Sequence, residues 1–187
     1  MAGNKNPFGP NVMTVQEATN QAAQRRVIRV TPTLSTDAYT NEDVFFNSTE
    51  IPNAVLRPGG SSKLVSLSVL NEDDVAHDFD IVFMQVSTDL GTINEDVGTG
   101  SLWTNALAKA AKVLGGVKID WSTSSVDLVN NLVFTSGNLN ASGKCANLPM
   151  VLQAEENATS IYMAGITRGG TPTVAADDYE IILGIEY

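Results

Sequence analysis

The residues that could carry chemistry in this chain are few and are poorly spaced for it. His77 is the single histidine and Cys145 is the single cysteine among 187 residues. Zinc sites combine several His, Cys or carboxylate ligands at short spacings, and nucleophilic catalysis by serine or cysteine needs a histidine placed as a base. A lone histidine beside Asp78 in a predicted turn is typical of a solvated polar residue. The sequence therefore predicts no catalytic site, no zinc site and no bound cofactor, and we expect a protein that is not an enzyme.

Residues 137–145, with the sequence GNLNASGKC, come close to a phosphate-binding loop but depart from it at two points. Five residues separate Gly137 from Gly143 where the motif has four, and Cys145 stands where a Ser or Thr would bind magnesium. This segment is therefore predicted not to bind a nucleotide.

An acidic cluster offers one alternative, a calcium site, since Ca²⁺ prefers several carboxylates and carbonyls on a turn. Its spacing does not fit an EF-hand, and consecutive acids at a hairpin tip are more often a solubilising surface. The cluster consists of Glu72, Asp73, Asp74, Asp78 and Asp80.

Large aromatic side chains offer a second alternative, a platform for stacking sugars. Trp103, Trp121 and Tyr162 would serve if they were exposed together. Large aromatics in a β-rich chain more often lie in a core or an interface, and this is the interpretation that we favour.

The elements that would position these residues are predicted to be mostly strands. Val, Thr, Ser, Asn and Gly recur throughout, and turn sequences interrupt short apolar stretches. We predict a mainly β chain: an antiparallel β-sandwich or jelly-roll-like domain with one short helix. The predicted strands are 26–30, 42–47, a short segment near 55–56, 63–70, 78–86, 117–121, 125–135, 145–154, 159–167 and 179–187.

Two of these strands carry information about burial. In 63–70 the set Val65, Leu67 and Val69 is wholly apolar, so we expect it to face the core while the serines face outward. In 78–86 both faces are largely apolar, which predicts a central strand covered on both sides.

The predicted helix covers residues 101–114. Leu102, Ala106, Ala110 and Val113 recur at helical spacing, and Gly115-Gly116 is expected to end the helix as a C-cap.

Charged residues are distributed unevenly along the chain. Residues 1–30 carry four bases and one acid, a net charge of +3, whereas the remaining residues carry 7 bases and 20 acids, a net charge of −13. We predict an extended N-terminal arm over 1–26 and a β-sandwich domain over 27–187. The arm is either a frayed tail or a segment that becomes ordered on an acidic partner.

Charge and hydropathy also limit the partners. The overall net charge of −10 argues against a nucleic-acid-binding face. No stretch approaches the roughly 18 apolar residues of a membrane helix, and the N-terminus shows no apolar secretion signal. We therefore expect no membrane association and synthesis in a host cytoplasm.

Several segments of the body resemble one family. They are 57–84 (RPGGSSKLVSLSVLNEDDVAHDFDIVFM), GTI at 91–93, KVLGGVKI at 112–119 and the closing segment 160–187. Together they resemble a β-rich virion structural protein of tailed bacteriophages, particularly marine and cyanobacterial ones, over roughly 55–187. The most specific part is 164–173 (AGITRGGTPT) with the last strand. An extra glycine at 169–170 and a longer helix depart from that family, which puts the loop geometry in question.

The resemblance implies a role on the virion. It implies a capsid decoration (cement) protein on the capsid surface, seated on the major capsid protein lattice and on copies of itself, with a trimer as one arrangement. We expect apolar anchors and charged contacts in and next to the arm, and a further charged contact from Arg168, for which a loop-stabilising role is an equal alternative. The candidate contact residues are Lys5, Phe8, Val12, Met13, Val15, Arg25, Arg26, Arg29 and Arg168.

Two other functions stay open at this point. One is a tail, neck or head-fibre component, and the other is a glycan-binding or receptor-binding β-sandwich module. Copy number per particle separates the first from a decoration protein, and a glycan screen separates the second.

Overall fold

The computed structural model describes residues 24–73, 75–97, 104–135 and 148–187. Ten strands and two short helical segments follow one another within these ranges. They are β1 (Arg25–Val30), β2 (Val44–Ile51), β3 (Ser61–Asn71), β4 (Phe79–Met84), α1 (Asn105–Ala110), β5 (Val113–Ile119), α2 (Trp121–Ser124), β6 (Ser125–Asp127), β7 (Leu132–Thr135), β8 (Met150–Gln153), β9 (Ile161–Thr167) and β10 (Tyr179–Glu186).

The strands form two antiparallel sheets. The larger sheet has the order β1-β10-β3-β7-β6, and β8 pairs with the other end of β3, while the smaller sheet has the order β2-β9-β4-β5. Strand β3 is long enough to hold β7 through Ser68–Asn71 and β8 through Ser61–Leu64 along the same edge. The prediction of a mainly β, antiparallel sandwich with one short helix is confirmed, with α1 as that helix and α2 as a single turn of four residues. The C-terminal strand β10 lies between β1 and β3.

The main core lies between the two sheets and is dominated by aromatic rings. Phe45 is in ring contact with Tyr39, Phe46, Phe79 and Tyr179 at centroid distances of 4.8–6.0 Å. All five of these side chains are at most 1% exposed. Strands β2, β4 and β10 and the segment before β2 are thus joined by one packed aromatic cluster.

A second, smaller cluster covers the other face of the smaller sheet. Val44, Met84 and Ala164 of the sheet pack there with Leu90 and Ala111. Strand β4 therefore buries Phe79, Ile81 and Phe83 on one face and Met84 on the other. The prediction that this strand is central and covered on both sides is confirmed.

The predicted orientation of the β3 side chains, toward the core or toward solvent, is correct for only part of the strand. Leu67 and Val69 are buried, but Val65 is 38% exposed and Leu64 is fully buried in its place. The pairing with β10 shifts register here, since Ser66 lies opposite Gly184 and Leu64 lies opposite Ile185. A β-bulge of this kind inserts one extra residue and reverses the side-chain alternation beyond it. A strict two-residue period could not reveal that reversal.

The predicted helix 101–114 is too long at its C-terminal end. Helix α1 ends at Ala110, and Val113 already pairs with Met84 as the first residue of β5. The helix has Thr104 as its N-cap, whose side chain accepts the Leu107 N–H, and it buries none of its own residues. Pairing with β4 buries Val117 and Ile119 instead, so tertiary burial outweighs the helical spacing of the sequence. The glycines at 115–116 lie inside the strand and do not form a C-cap.

Two further strand predictions are wrong in detail. The predicted strand 125–135 is a hairpin of β6 and β7, closed by a hydrogen bond from the Leu128 N–H to the Asn131 carbonyl. The Asp127 carboxylate accepts the Val129 N–H, a local turn bond that favours reversal of the chain. The short segment near 55–56 is a turn, in which Val55 is buried and bonds to the Thr159 carbonyl.

Candidate assembly surface

Strand β1 forms one edge of the larger sheet and carries three arginines. Arg25, Arg26 and Arg29 were predicted as contact residues, with the arm ending at residue 26, yet the strand already begins at Arg25. Two arginines assigned to the arm are therefore part of the sheet, antiparallel to β10. The remaining predicted contacts of the arm lie outside the described residues. These are Lys5, Phe8, Val12, Met13 and Val15.

Two arginine side chains of this strand form ion pairs with acidic residues of β10. An Arg25 guanidinium nitrogen lies 2.9 Å from the Glu186 carboxylate, and Arg29 pairs with Glu180. On the next strand inward the Lys63 ammonium lies 3.7 Å from Glu186. Such exposed pairs contribute at most about 1 kcal/mol each to stability. Their main effect is to fix where the positive charges are presented.

The outward face of the larger sheet, opposite the core, also carries exposed valines. Val27 on β1, Val126 on β6 and Val151 on β8 are 61%, 58% and 62% exposed. Val65, at the bulge of β3, is exposed as well. We call this surface, together with Arg25 and Arg29 of β1, the outer face; Arg26 lies on the other side of the strand, with buried Ile28. The outer face combines a positive edge with scattered apolar side chains on a body of negative net charge.

Arg168 lies elsewhere, in the loop that follows β9. Its Nε donates to the Asp80 carboxylate at 2.7 Å, and a terminal nitrogen lies 3.5 Å from the Glu42 carboxylate. Its backbone N–H donates to the Asp78 carbonyl at 2.8 Å. These contacts hold the loop against Asp80, Glu42 and Asp78, and they leave the side chain about a third exposed.

An open cavity of about 430 Å³ lies beside this loop. Its lining includes His77, Asp78, Trp121 and Arg168. The Trp121 indole N–H donates to the His77 carbonyl, and the Trp121 backbone N–H donates to the Asp78 carboxylate at 3.1 Å. Trp121 is only 3% exposed. Both nitrogen donors of Trp121 are thus engaged in hydrogen bonds that hold the cavity wall.

The predicted ligand alternatives find little support in the described residues. Within the described ranges no group of three or more His, Cys, Asp and Glu side chains is arranged to hold a metal ion, and Asp74 of the acidic cluster lies outside them. Of the three aromatics considered for sugar stacking, Trp121 is buried, Tyr162 is half-buried and Trp103 lies outside the described residues. Among the described helices none is long and apolar enough to cross a membrane.

His77 is not the solvated residue that its sequence context suggested. It is half-buried, and its Nε2 has no hydrogen-bond partner among the described residues. Burial lowers the pKa of the imidazole below its ordinary value of 6.5, and nearby Asp73 acts more weakly in the opposite direction. Burial also raises the pKa of the neighbouring Asp78 carboxyl.

The lowered pKa of His77 predicts a loss of stability on mild acidification. Below about pH 6.5 the His77 imidazole binds a proton more readily in the unfolded chain than in the folded chain. The contribution of neutral His77 to the stability of the fold is therefore fully present above that pH and declines below it. We expect the free energy of unfolding to fall between about pH 7.5 and pH 5.5 by more in the wild type than in His77→Gln. Urea unfolding followed by tryptophan fluorescence measures this difference. Equal pH dependence in the two proteins would show that His77 is not the group responsible.

Comparisons with known proteins do not place the chain in a family. No family model matches it, and no curated protein matches it. Among solved structures, a chain of Desmodium yellow mottle tymovirus aligns with 14% identity and a TM-score of 0.27, covering 95% of this chain and 84% of that chain. At this TM-score the alignment establishes neither a family nor a function.

Sequence reasoning found the arginines of β1 but missed the residues that pair with them. Glu180 and Glu186, which form these pairs, belong to the outward-facing set of β10, and Lys63, which also pairs with Glu186, belongs to that of β3. The signal was present in the closing strand, where acidic residues stand at the outward positions of an otherwise apolar sequence. Only the strand order brings them next to β1.

Proposed function

We propose that this chain is a non-enzymatic virion structural protein, a capsid decoration (cement) protein that binds and stabilises the lattice of a major capsid protein. The resemblance of residues 55–187 to a structural protein of tailed bacteriophages supports the proposal. The β-sandwich is compatible with it, because a decoration protein needs a rigid body and an adhesive surface rather than a catalytic site.

The observation that carries the proposal is the composition of the outer face. Although the chain has a net charge of −10, two arginines of the edge strand, Arg25 and Arg29, flank exposed Val27 on this face. Mixed apolar and arginine side chains are typical of protein contact surfaces. The same strand leads directly out of residues 1–23, in which the predicted anchors lie, so arm and edge strand would form one continuous contact.

In this proposal the N-terminal arm binds the shell protein, and the β-sandwich lies on the surface of the shell. Phe8, Val12, Met13 and Val15 fill apolar sites, and Lys5 adds a charge contact. Repetition over a symmetric shell increases the apparent affinity of a contact that is weak for one copy. A trimer at three-fold positions of the shell would bind through three such contacts at once, which would also increase the apparent affinity. The buried state of Trp121 disfavours the glycan-binding alternative.

Co-sedimentation with purified shells that lack this protein tests the proposal. The shells should be those of the virus that encodes the chain, and the variant should lack residues 1–23, which leaves β1 complete. We expect the full chain to sediment with the shells and the truncated chain to lose at least about tenfold in affinity. Circular dichroism should show that both proteins are folded. Failure of the full chain to bind would contradict the proposal.

A further inference from the structure

The backbone of β1 has one side that no described strand occupies. Strand β1 pairs only with β10 within the described chain and stands at the end of the sheet order. The Tyr187 N–H donates to the Gln24 carbonyl at 3.0 Å, so these two opposite residues form a hydrogen-bonded pair. Hydrogen-bonded and non-hydrogen-bonded pairs alternate along antiparallel strands. The backbone N–H and C=O groups of Arg25, Val27 and Arg29 therefore point away from β10, toward the open edge.

The side chains of the same residues end a row of alternating charges across the sheet. Lys63 lies opposite Glu186, and Glu186 lies opposite Arg25, so that the order across three strands is positive, negative, positive. Arg29 forms its ion pair with Glu180 diagonally, since Ile182 is the β10 residue directly opposite Arg29. The side chains of Arg25 and Arg29 are 73% and 57% exposed, and each guanidinium group has more donors than one carboxylate binds. A strand that continued this pattern would place carboxylates beside both arginines.

A second copy of the same strand is a poor fit for this edge. In an antiparallel β1–β1 pair centred on Val27, Arg25 of each chain would lie opposite Arg29 of the other. Like charges directly opposite one another destabilise strand pairing. Charged side chains on an edge strand suppress such self-association, and the same charges select a partner of opposite sign.

We propose that β1 accepts an extended acidic segment of the shell protein as an added antiparallel strand, with carboxylates next to Arg25 and Arg29. The assignment of this segment to the shell rests on the proposed function. Backbone hydrogen bonds to Arg25, Val27 and Arg29 provide the affinity, and the charge pattern provides the selectivity. Exposed Val27 lies between the two arginines and packs against the added strand.

Val27 allows the backbone contact to be tested separately from the side chain. Its N–H points to the open edge, so Val27→Pro removes one outward donor and leaves the ladder to β10 intact, as proline is tolerated at such edge positions. Val27→Thr keeps the N–H and a β-branched side chain, and is the matched control.

The probes are two labelled nine-residue peptides that alternate valine with glutamate or valine with lysine, titrated into the full chain. We expect the glutamate peptide to bind about tenfold more tightly than the lysine peptide at low salt, with the difference shrinking at about 1 M salt. Val27→Pro should lose about tenfold in affinity for the glutamate peptide, whereas Val27→Thr should stay within about twofold. Hydrogen exchange at the Val27 and Arg29 amides should slow when the glutamate peptide binds the wild type.

Several results would overturn the inference: equal binding of the two peptides, no binding of either, or unchanged binding by Val27→Pro. Slow exchange of the Val27 and Arg29 amides in the unbound chain would also overturn it, because residues 1–23 or a second copy would then already occupy the edge.

A shell-binding measurement distinguishes failure of this inference from failure of the proposed function. If the wild type and Val27→Pro bind shells equally, the added strand is wrong and the shell role stands. If the glutamate peptide binds as expected and shells do not, the edge recognises acidic strands and the shell role is wrong.

Discussion

Replacing Phe45 with alanine should lower the free energy of unfolding by about 3–5 kcal/mol, the largest single effect that we expect in this protein. Phe45 is 1% exposed and makes ring contacts with four other aromatic side chains of both sheets and of the segment before β2. Truncation would remove the ring and leave a cavity that rigid neighbours cannot fill. The loss is therefore expected at the upper end of the range for core substitutions.

Urea unfolding measures this loss, and Val126→Ala is a suitable control. Val126 is a β-strand residue that is 58% exposed, so its truncation should change stability by less than about 0.5 kcal/mol. A loss below about 1 kcal/mol for Phe45→Ala would mean that the aromatic cluster does not hold the sheets together.

Gly165→Ala should lower the free energy of unfolding by about 2–3 kcal/mol, because its new methyl group has no space. A Cβ at this position would lie 2.3 Å from one ring carbon of Phe46 and 2.5 Å from another. Phe46 is fully buried between its neighbours and cannot move away without disturbing the contact with Phe45. Strand β9 would therefore have to shift away from β2.

Gly184→Ala provides a matched control for this effect. A Cβ there would lie 2.2 Å from the Ser66 Oγ, a distance as short as that at Gly165. Ser66 is exposed, however, and its hydroxyl can rotate to another staggered position. We expect less than about 1 kcal/mol of destabilisation. Thermal unfolding of both variants gives the comparison, and an equal loss in the two would show that the Phe46 ring is not the obstacle.

Much of the sheet structure follows from local patterns in the sequence. The closing strand has an apolar residue at every second position from Tyr179 onward, and Ile181, Leu183 and Ile185 of this set are fully buried. Strand β4 is apolar on both faces because two separate clusters cover it. In the closing strand a two-residue period is sufficient to indicate which side chains face the core, and in β4 the two largely apolar faces indicate cover on both sides.

The errors arise where distant parts of the chain decide the local conformation. The bulge at Val65 depends on Gly184, more than a hundred residues further along the chain, which no local pattern reports. Residues 113–114 have helical spacing but pair with β4, because only the folded sheet provides that partner. Asp127 and Val129 begin a turn inside a stretch that otherwise has strand composition.

The candidate assembly surface was predictable only in part for the same reason. The excess of arginine before residue 30 is visible in the sequence, and so is the negative charge of the rest. The charge row from Lys63 through Glu186 to Arg25 is formed by three strands that are far apart in the chain. Its position at an open sheet edge requires the strand order.

The most direct test of the proposed role is the copy number of this chain in purified particles, determined by quantitative mass spectrometry against the major capsid protein. A decoration protein occupies every equivalent position of the shell, so we predict a ratio near one or a simple fraction of one. A ratio in the low hundredths would place the chain in a tail, neck or fibre, and its absence from particles would contradict a structural role in the virion.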